Sequence, residues 1–178
     1  GYLCKYSFKR ERKLLMSSDK DFYQLLDKKT IIYSPTWKKI VTSKEVKEKF
    51  GISPENFCLA KSVCGDPSDN IDGVKGAGFK VLSKRFPEML LDTPVTIQSI
   101  IDRCNEELSS GKKLKLYENI SKSGGLIKRN WKLICLDTNS LSFDQISKVN
   151  FELDKESISR NKINSTRILI REGIQSFN

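Results

Sequence analysis

Between Gly65 and Gly78 the sequence reads Gly-Asp-Pro-Ser-Asp-Asn-Ile-Asp-Gly-Val-Lys-Gly-Ala-Gly, and no regular helix or strand can run through it. Glycine gives up backbone entropy in either element, proline removes an amide donor, and Asp and Asn bond back to their own main chain. The segment must therefore be a run of turns, with the regular structure lying before and after it. Upstream, Ser53-Pro54 is a cap followed by proline at the first helical position, so a helix is expected from there to Cys64, ending at Gly65. Downstream, Phe79 to Phe86 resumes helical spacing until Pro87 breaks it.

The rest of the chain is read from the same signals. Tyr2 to Phe8 reads as helix. Lys13-Leu14-Leu15-Met16-Ser17-Ser18 has the pattern of a buried strand in a sheet covered on both faces, and Asp19 to Leu26 that of a helical turn. Thr30 to Tyr33 and Trp37 to Val41 are β-rich runs parted by Ser34-Pro35-Thr36, which predicts a hairpin. Thr42 or Ser43 can cap a helix through Phe50, stopped by Gly51. Past Pro94, the residues Val95, Ile97, Ile100, Ile101, Cys104 and Leu108 form a helical apolar stripe. Another helix is expected after Gly111, with a break at Gly124-Gly125. Leu133 to Leu136 fits a strand or the buried end of a helix, and a last short helix is expected from Ser165 to Gly173 in a polar tail.

Charge and missing residue types narrow the chemistry. The 178 residues carry 32 Lys and Arg against 22 Asp and Glu, and a net charge of +10 favours a polyanionic partner. There is no histidine, which removes Ser-His and Cys-His nucleophile systems, histidine bases and the usual zinc ligands. Catalysis, if present, must rest on carboxylates, lysines or hard metal ions. The five cysteines never fall in a CxxC pair, so reduced thiols in a cytoplasm fit better than a disulfide framework or a zinc site. No apolar run is long enough to span a bilayer.

Two acidic pairs stand out. Asp19 and Asp21 lie just past the expected strand, where ligand sites of open α/β sheets are found, and on an extended chain they point to one side. Carboxylates so close repel unless a cation or proton sits between them. The plainer reading makes Asp19 a helix cap and Asp21 a first-turn acid. Asp66 and Asp69, three apart, share one face of a helical turn, or simply cap turns. Beside them the glycines of Gly73-Val74-Lys75-Gly76-Ala77-Gly78 permit a tight hairpin. Its amides and the start of a helix near Ala77 can face a phosphate, with Lys75, Lys80, Lys84 and Arg85 adding positive charge.

Taken together, the strand end with Asp19 and Asp21 and the segment GDPSDNIDGVKGAGFK resemble the 5′ nuclease superfamily: flap endonucleases, the 5′ nuclease domain of bacterial DNA polymerase I, and phage 5′ exonucleases. The wording SSDKDFYQLL and the Trp37 hairpin look closest to RNase H of T-even-like phages, and the resemblance runs from about Lys13 to Pro87. It implies an α/β fold in which residues 1–45 are later strands of a PIN-like, Rossmann-like nuclease core. Residues 46–92 would be a helix-three-turn-helix module containing a helix–hairpin–helix, and 93–178 a helical region.

The resemblance also implies a function: structure-specific removal of RNA primers or 5′ flaps in replication, by two-metal phosphodiester hydrolysis. Asp19, Asp21, Asp66 and Asp69 would be ligands of two Mg²⁺ or Mn²⁺ ions, and the main-chain carbonyls of Val74 and Ala77 ligands of K⁺. Gly73, Lys75, Gly76, Gly78, Lys80, Lys84 and Arg85 would bind DNA. The implied partners are duplex or branched DNA and RNA–DNA hybrid with a 5′ end, with a replication clamp or single-strand-binding protein as further candidates, and the chain is expected to be a monomer without membrane contact.

One departure limits this picture. The superfamily carries further acids upstream, including an E-x-D-D segment, which are expected to lie before Gly1. A chain without them would keep the DNA-binding module and part of a metal site yet cut poorly. The rival reading is a helix–hairpin–helix module that binds DNA and does no chemistry. Trp37 and Trp131 could stack on bases but fit a core or rim equally. The cluster Lys9, Arg10, Arg12, Lys13 fits a solvated helix end, and Cys58 and Cys64 buried helix positions.

Overall fold

The computed structural model describes residues 1–136 and 141–154, together with the single positions Ile163, Arg167 and Arg171. The chain divides into two compact units, Gly1–Thr138 and Asn139–Asn178. In the first, after a short π-helical segment at Leu3–Ser7, three strands form one sheet: β1 (Lys13–Met16), β2 (Thr30–Ser34) and β3 (Lys39–Val41). β1 runs parallel to β2, pairing Leu14 with Ile31 and Leu15 with Ile32, and β2 runs antiparallel to β3, pairing Ile32 with Val41. The expected hairpin is present, and Lys38 takes a positive φ of 49° to close it.

The two-faced burial expected of β1 is not what the structure shows. Leu15 packs on the core, but Leu14 and Met16 are 59% and 72% exposed. β1 is an outer strand, and among the described residues nothing covers the face that carries Leu14 and Met16, so half of its apolar run stands open. β2, the middle strand, buries Thr30, Ile32 and Ser34 on one face.

Six α-helices follow among the described residues of this unit. α1 (Ser43–Phe50) starts where the Glu45 carboxylate accepts the Thr42 amide at 2.8 Å, and ends at Gly51 with φ 66°. α2 (Pro54–Cys64) has its proline in the first turn and stops at Gly65. α3 (Phe79–Arg85) follows the turn segment, starting at Phe79 where helical spacing resumes rather than near Ala77. α4 (Ile97–Ser109) is capped by Thr96, whose hydroxyl accepts the Ser99 amide at 3.0 Å. α5 (Lys115–Lys122) and α6 (Gly124–Ile134) follow. The break expected at Gly124-Gly125 falls one residue earlier, at Ser123, and the glycines open α6, where first-turn amides lack intrahelical partners anyway. Leu133 and Ile134 are helix end, not strand.

α2 is the axis of the core. Every residue from Asn56 to Val63 is buried, as befits a helix that is packed around its whole circumference. Phe57 meets Tyr23 and Phe50 edge-on, with centroids 5.4 and 5.2 Å apart, and stacks on Phe79 at 5.3 Å. The polar groups this buries are satisfied. Asn56 gives its amide hydrogens to the carbonyls of Met89, Leu91 and Thr93 and accepts the Val95 amide at 2.7 Å.

In the second unit α7 (Phe143–Asp154) starts with a reciprocal cap: Ser142 N donates to Gln145 Oε1 at 2.8 Å and Gln145 N to Ser142 Oγ at 3.2 Å. This helix has no counterpart in the sequence reading. The helix expected over 165–173 lies, apart from Arg167 and Arg171, outside the described residues. No described helix is long and apolar enough to cross a membrane.

Candidate metal and nucleic-acid site

Two acidic turns are built at the ends of β1 and α2. Beyond β1, Ser17 N still bonds to Tyr33 O at 3.0 Å, and the Ser18 hydroxyl meets Ser34 Oγ at 2.9 Å and Thr36 Oγ1 at 2.7 Å. The chain then enters a 3-10 turn, Lys20–Leu25, capped by Asp19, whose carboxylate accepts the Asp21 amide at 2.8 Å. Asp19 is thus a cap, as its plainer reading held, and still lines the cleft described below. Gln24 locks the turn in place. Its amide donates to Asp21 O at 2.8 Å and Ile134 O at 3.0 Å, and its carbonyl accepts Leu136 N at 2.9 Å.

The second turn follows Gly65, whose φ of 78° is a region that favours glycine. Asp66 N and Ile71 N exchange bonds with each other's carbonyls at 2.8 and 2.9 Å, closing a loop around the short 3-10 turn Pro67–Asp69. The Asp66 carboxylate caps that turn, accepting from Ser68 N at 3.1 Å and Ser68 Oγ at 2.6 Å. The loop lies directly on backbone. A Cβ on Gly73 would come within 1.9 Å of Cys64 O, and one on Gly65 within 2.4 Å of Gly73 N. From α6 the fully buried Asn130 donates to Ser62 O at 3.0 Å and Asp72 O at 2.7 Å, stitching the end of α2 to the far side of the loop.

Lys61 joins the two turns. It sits on α2 with only 6% of its surface exposed, and its ammonium forms ion pairs with both Asp21 and Asp66. Burial works against the Lys61 charge, but hydrogen bonds to the two carboxylates outweigh it and raise its pKa. At Asp66 burial likewise opposes ionisation, yet the bonds from Lys61 and Ser68 bring its carboxyl down to about 2. Asp69 is exposed beside them, and the Asp66 charge pushes its carboxyl up. Sequence reasoning passed over Lys61. The available signal was a single charge inside the otherwise apolar Phe57-Cys58-Leu59-Ala60-Lys61-Ser62-Val63.

A stability consequence follows from the Asp66 shift. Its folded pKa of about 2 lies below its ordinary 3.8, so the stabilisation is present above pH 4 and is lost as pH falls toward 2. The shift corresponds to about 2 kcal/mol. Urea midpoints of the wild type and Asp66→Asn should therefore differ clearly at pH 6 and converge near pH 2. A gap that persists at pH 2 would show that the charge is not what Asp66 contributes.

Asp19, Asp66, Asp69 and Lys61 line one cleft of about 420 Å³, with Phe57 and Phe79 on its apolar side, and Asp21 enters through its pair with Lys61. The carboxylate oxygens suit a hard divalent cation. Among the described residues, however, no three His, Cys, Asp or Glu side chains converge closely enough to hold a metal, and the Lys61 ammonium lies between Asp21 and Asp66.

The glycine-rich segment forms a tight turn in which Ala77 N bonds to Val74 O at 2.9 Å and Gly76 takes φ 84°. Lys75 keeps a negative φ, which makes this a type II turn with glycine at the position that requires it. Val74 is buried, and Asn119 of α5 anchors the tip by donating to Lys75 O at 2.9 Å. Lys75, Gly76, Lys80, Lys84 and Arg85 are exposed, while Gly73, Ala77 and Gly78 are half-buried.

No family model matches the chain. Over 74 residues, 42% of its length, it is 39% identical to the thermostable DNA polymerase I of Thermus filiformis, of which this covers 9%. Over 154 residues, 82% of its length, it is 29% identical to DNA polymerase I of Caldicellulosiruptor bescii, covering 18% of that protein. It is 37% identical over 81 residues to a 5′-3′ exonuclease of Buchnera aphidicola subsp. Schizaphis graminum, covering 44% of this chain and 28% of the exonuclease. Among solved structures, a bacteriophage T5 flap endonuclease variant in complex with DNA and metal ions matches with a TM-score of 0.69 at 26% identity, covering 85% of this chain and 55% of that one. A zinc-bound T5 5′-exonuclease matches with a TM-score of 0.64 at 27% identity, covering 78% and 51%. The chain thus spans under a third of these curated relatives and about half of the solved structures.

Proposed function

We propose that this chain, whose homologues are 5′ nucleases, is part of a structure-specific 5′ nuclease that removes RNA primers or 5′ flaps from DNA during replication. The observation that supports this best is the meeting of two acidic turns, from the ends of β1 and α2, in one cleft next to a basic hairpin. In this reading Asp19, Asp21, Asp66 and Asp69 hold Mg²⁺ or Mn²⁺. Bound divalent ions would supply a metal-activated hydroxide and positive charge for the departing 3′ oxygen. Lys61 balances the charge of Asp21 and Asp66 and keeps them in register until then. Val74 O, already accepting one hydrogen bond from Ala77 N, retains a lone pair for a monovalent cation such as K⁺, and in this reading Ala77 O is its other main-chain ligand.

The ligand, in this reading, is duplex or branched nucleic acid with a 5′ end, gripped by its backbone at the hairpin. Lys80→Ala/Lys84→Ala should weaken binding to every duplex alike, by roughly tenfold at low salt, and lower the slope of log K against log salt by about two. Fluorescence anisotropy with unrelated duplex sequences checks this, and a change in sequence preference would contradict backbone recognition. A second reading, a module that binds DNA without chemistry, draws support from Lys61 filling the space between Asp21 and Asp66. Mn²⁺ titration followed by electron paramagnetic resonance separates the two. Saturable binding abolished by Asp66→Asn supports the nuclease, and absence of binding supports the module.

A further inference from the structure

We propose that the surface running from the acidic cleft past Phe79 and Phe50 to Trp37 is a track for single-stranded nucleic acid, with the Trp37 indole as a base-stacking platform. The inference rests on the nucleic-acid reading above. Trp37 sits in the β2–β3 turn, 41% exposed, outside the hydrophobic core. Its backbone is held, with Trp37 N reaching Ser34 Oγ at 3.4 Å and the preceding Thr36 bonded to Ser18 on the rim of the cleft. A large aromatic is therefore fixed half in water beside the site rather than packed away.

Lysines alternate with rings along this surface. Lys39 Nζ lies 5.7 Å and Lys49 Nζ 5.2 Å from the Trp37 ring centre, and Lys49 Nζ is also 5.4 Å from the Phe50 ring. Phe50 meets Phe79 at 5.0 Å between centroids. Phe79 belongs to both the acidic cleft and an open apolar groove of about 450 Å³ that also takes in Lys80 and Val81, the latter 40% exposed. The surface is thus continuous from Asp19 to Trp37.

The alternation selects the occupant. A duplex presents phosphates outward and keeps its bases stacked inside, so it gains nothing from exposed rings. A single strand offers both, a base π-face for the exposed Trp37 ring, apolar base edges for the half-buried Phe50 and Phe79, and a phosphate for each ammonium. When a base stacks on Trp37, Lys49 leaves the ring and pairs with the adjoining phosphate, so its cation–π contact is exchanged rather than lost. An acidic peptide would satisfy the lysines but not the rings.

The test uses the full 178-residue chain carrying Trp131→Phe, so that Trp37 alone fluoresces, titrated with a short oligothymidylate. Saturable quenching that weakens with salt is expected. Trp37→Ala, followed by anisotropy, should lower single-strand affinity about tenfold and leave duplex affinity unchanged, and Trp37→Phe should restore most of it. Should Trp131→Phe fail to fold, the difference between wild type and Trp37→Phe gives the same readout. Oligothymidylate binding without Trp37 quenching, or equal quenching by polyglutamate, would overturn the proposal. Duplex binding with no single-strand binding overturns it too while leaving the nuclease reading intact. Failure to bind either form overturns both.

Discussion

Replacing Lys61 with alanine should destabilise the protein by about 3 kcal/mol at neutral pH, because it leaves two largely buried carboxylates facing each other with no cation between them. The loss is electrostatic rather than a loss of packing, which makes it separable. It should shrink below pH 4, where protonation relieves the repulsion, and Lys61→Ala combined with Asp21→Asn and Asp66→Asn should recover much of it. It should also shrink in millimolar Mn²⁺ or Mg²⁺, since a cation that binds only the folded state adds stability through mass action. Thermal melts of the single and triple variants, with and without divalent ion, check each point. A penalty independent of pH and metal would mean that the aliphatic stem of Lys61 matters and its charge does not.

Gly73→Ala should be equally severe for a different reason. Its Cβ would lie 1.9 Å from Cys64 O and 2.6 Å from Gly65 N, atoms of the backbone that no rotamer change can move aside. Either the acidic loop lifts off the end of α2 or the helix unwinds there, at a cost of about 3 kcal/mol or more and a fall in melting temperature on the order of 10 °C. Gly76→Ala is the control. Nothing lies within 4 Å of its Cβ, so only the φ of 84° is strained, and about 1 kcal/mol is expected. Metal and DNA binding should suffer in the first variant far more than in the second. Similar melting temperatures for both would show that the loop does not depend on this close approach.

What could be read from the sequence was local. Thr42 and Gly51 bound α1, Ser53-Pro54 and Gly65 bound α2, and each signal acts within one turn of the backbone. The acid pairs were legible because their members are two and three residues apart. That the two turns meet depends on Lys61, 40 residues from Asp21, and on the Gln24 clamp, 110 residues from Ile134, and such separations leave no pattern in a window of sequence. The open face of β1 was hidden for a related reason. An apolar run shows that a strand can be covered on both sides, but its place in the sheet decides whether it is. Gly124-Gly125 marked the break between α5 and α6 to within one residue, but not that the glycines belong to the helix that follows.

Asn130 gives the acidic loop an unusual mechanical standing. A surface loop ordinarily opens on its own, at little free energy, while the helices beneath it stay closed. This one shares a buried amide with α6, so lifting Asp72 away strands Asn130 and lifting α6 strands the carbonyls of Ser62 and Asp72. Loop and helix are therefore coupled in opening. Hydrogen exchange of the loop amides of Asp66 and Ile71 is therefore expected to track that of α6 rather than that of a free surface turn.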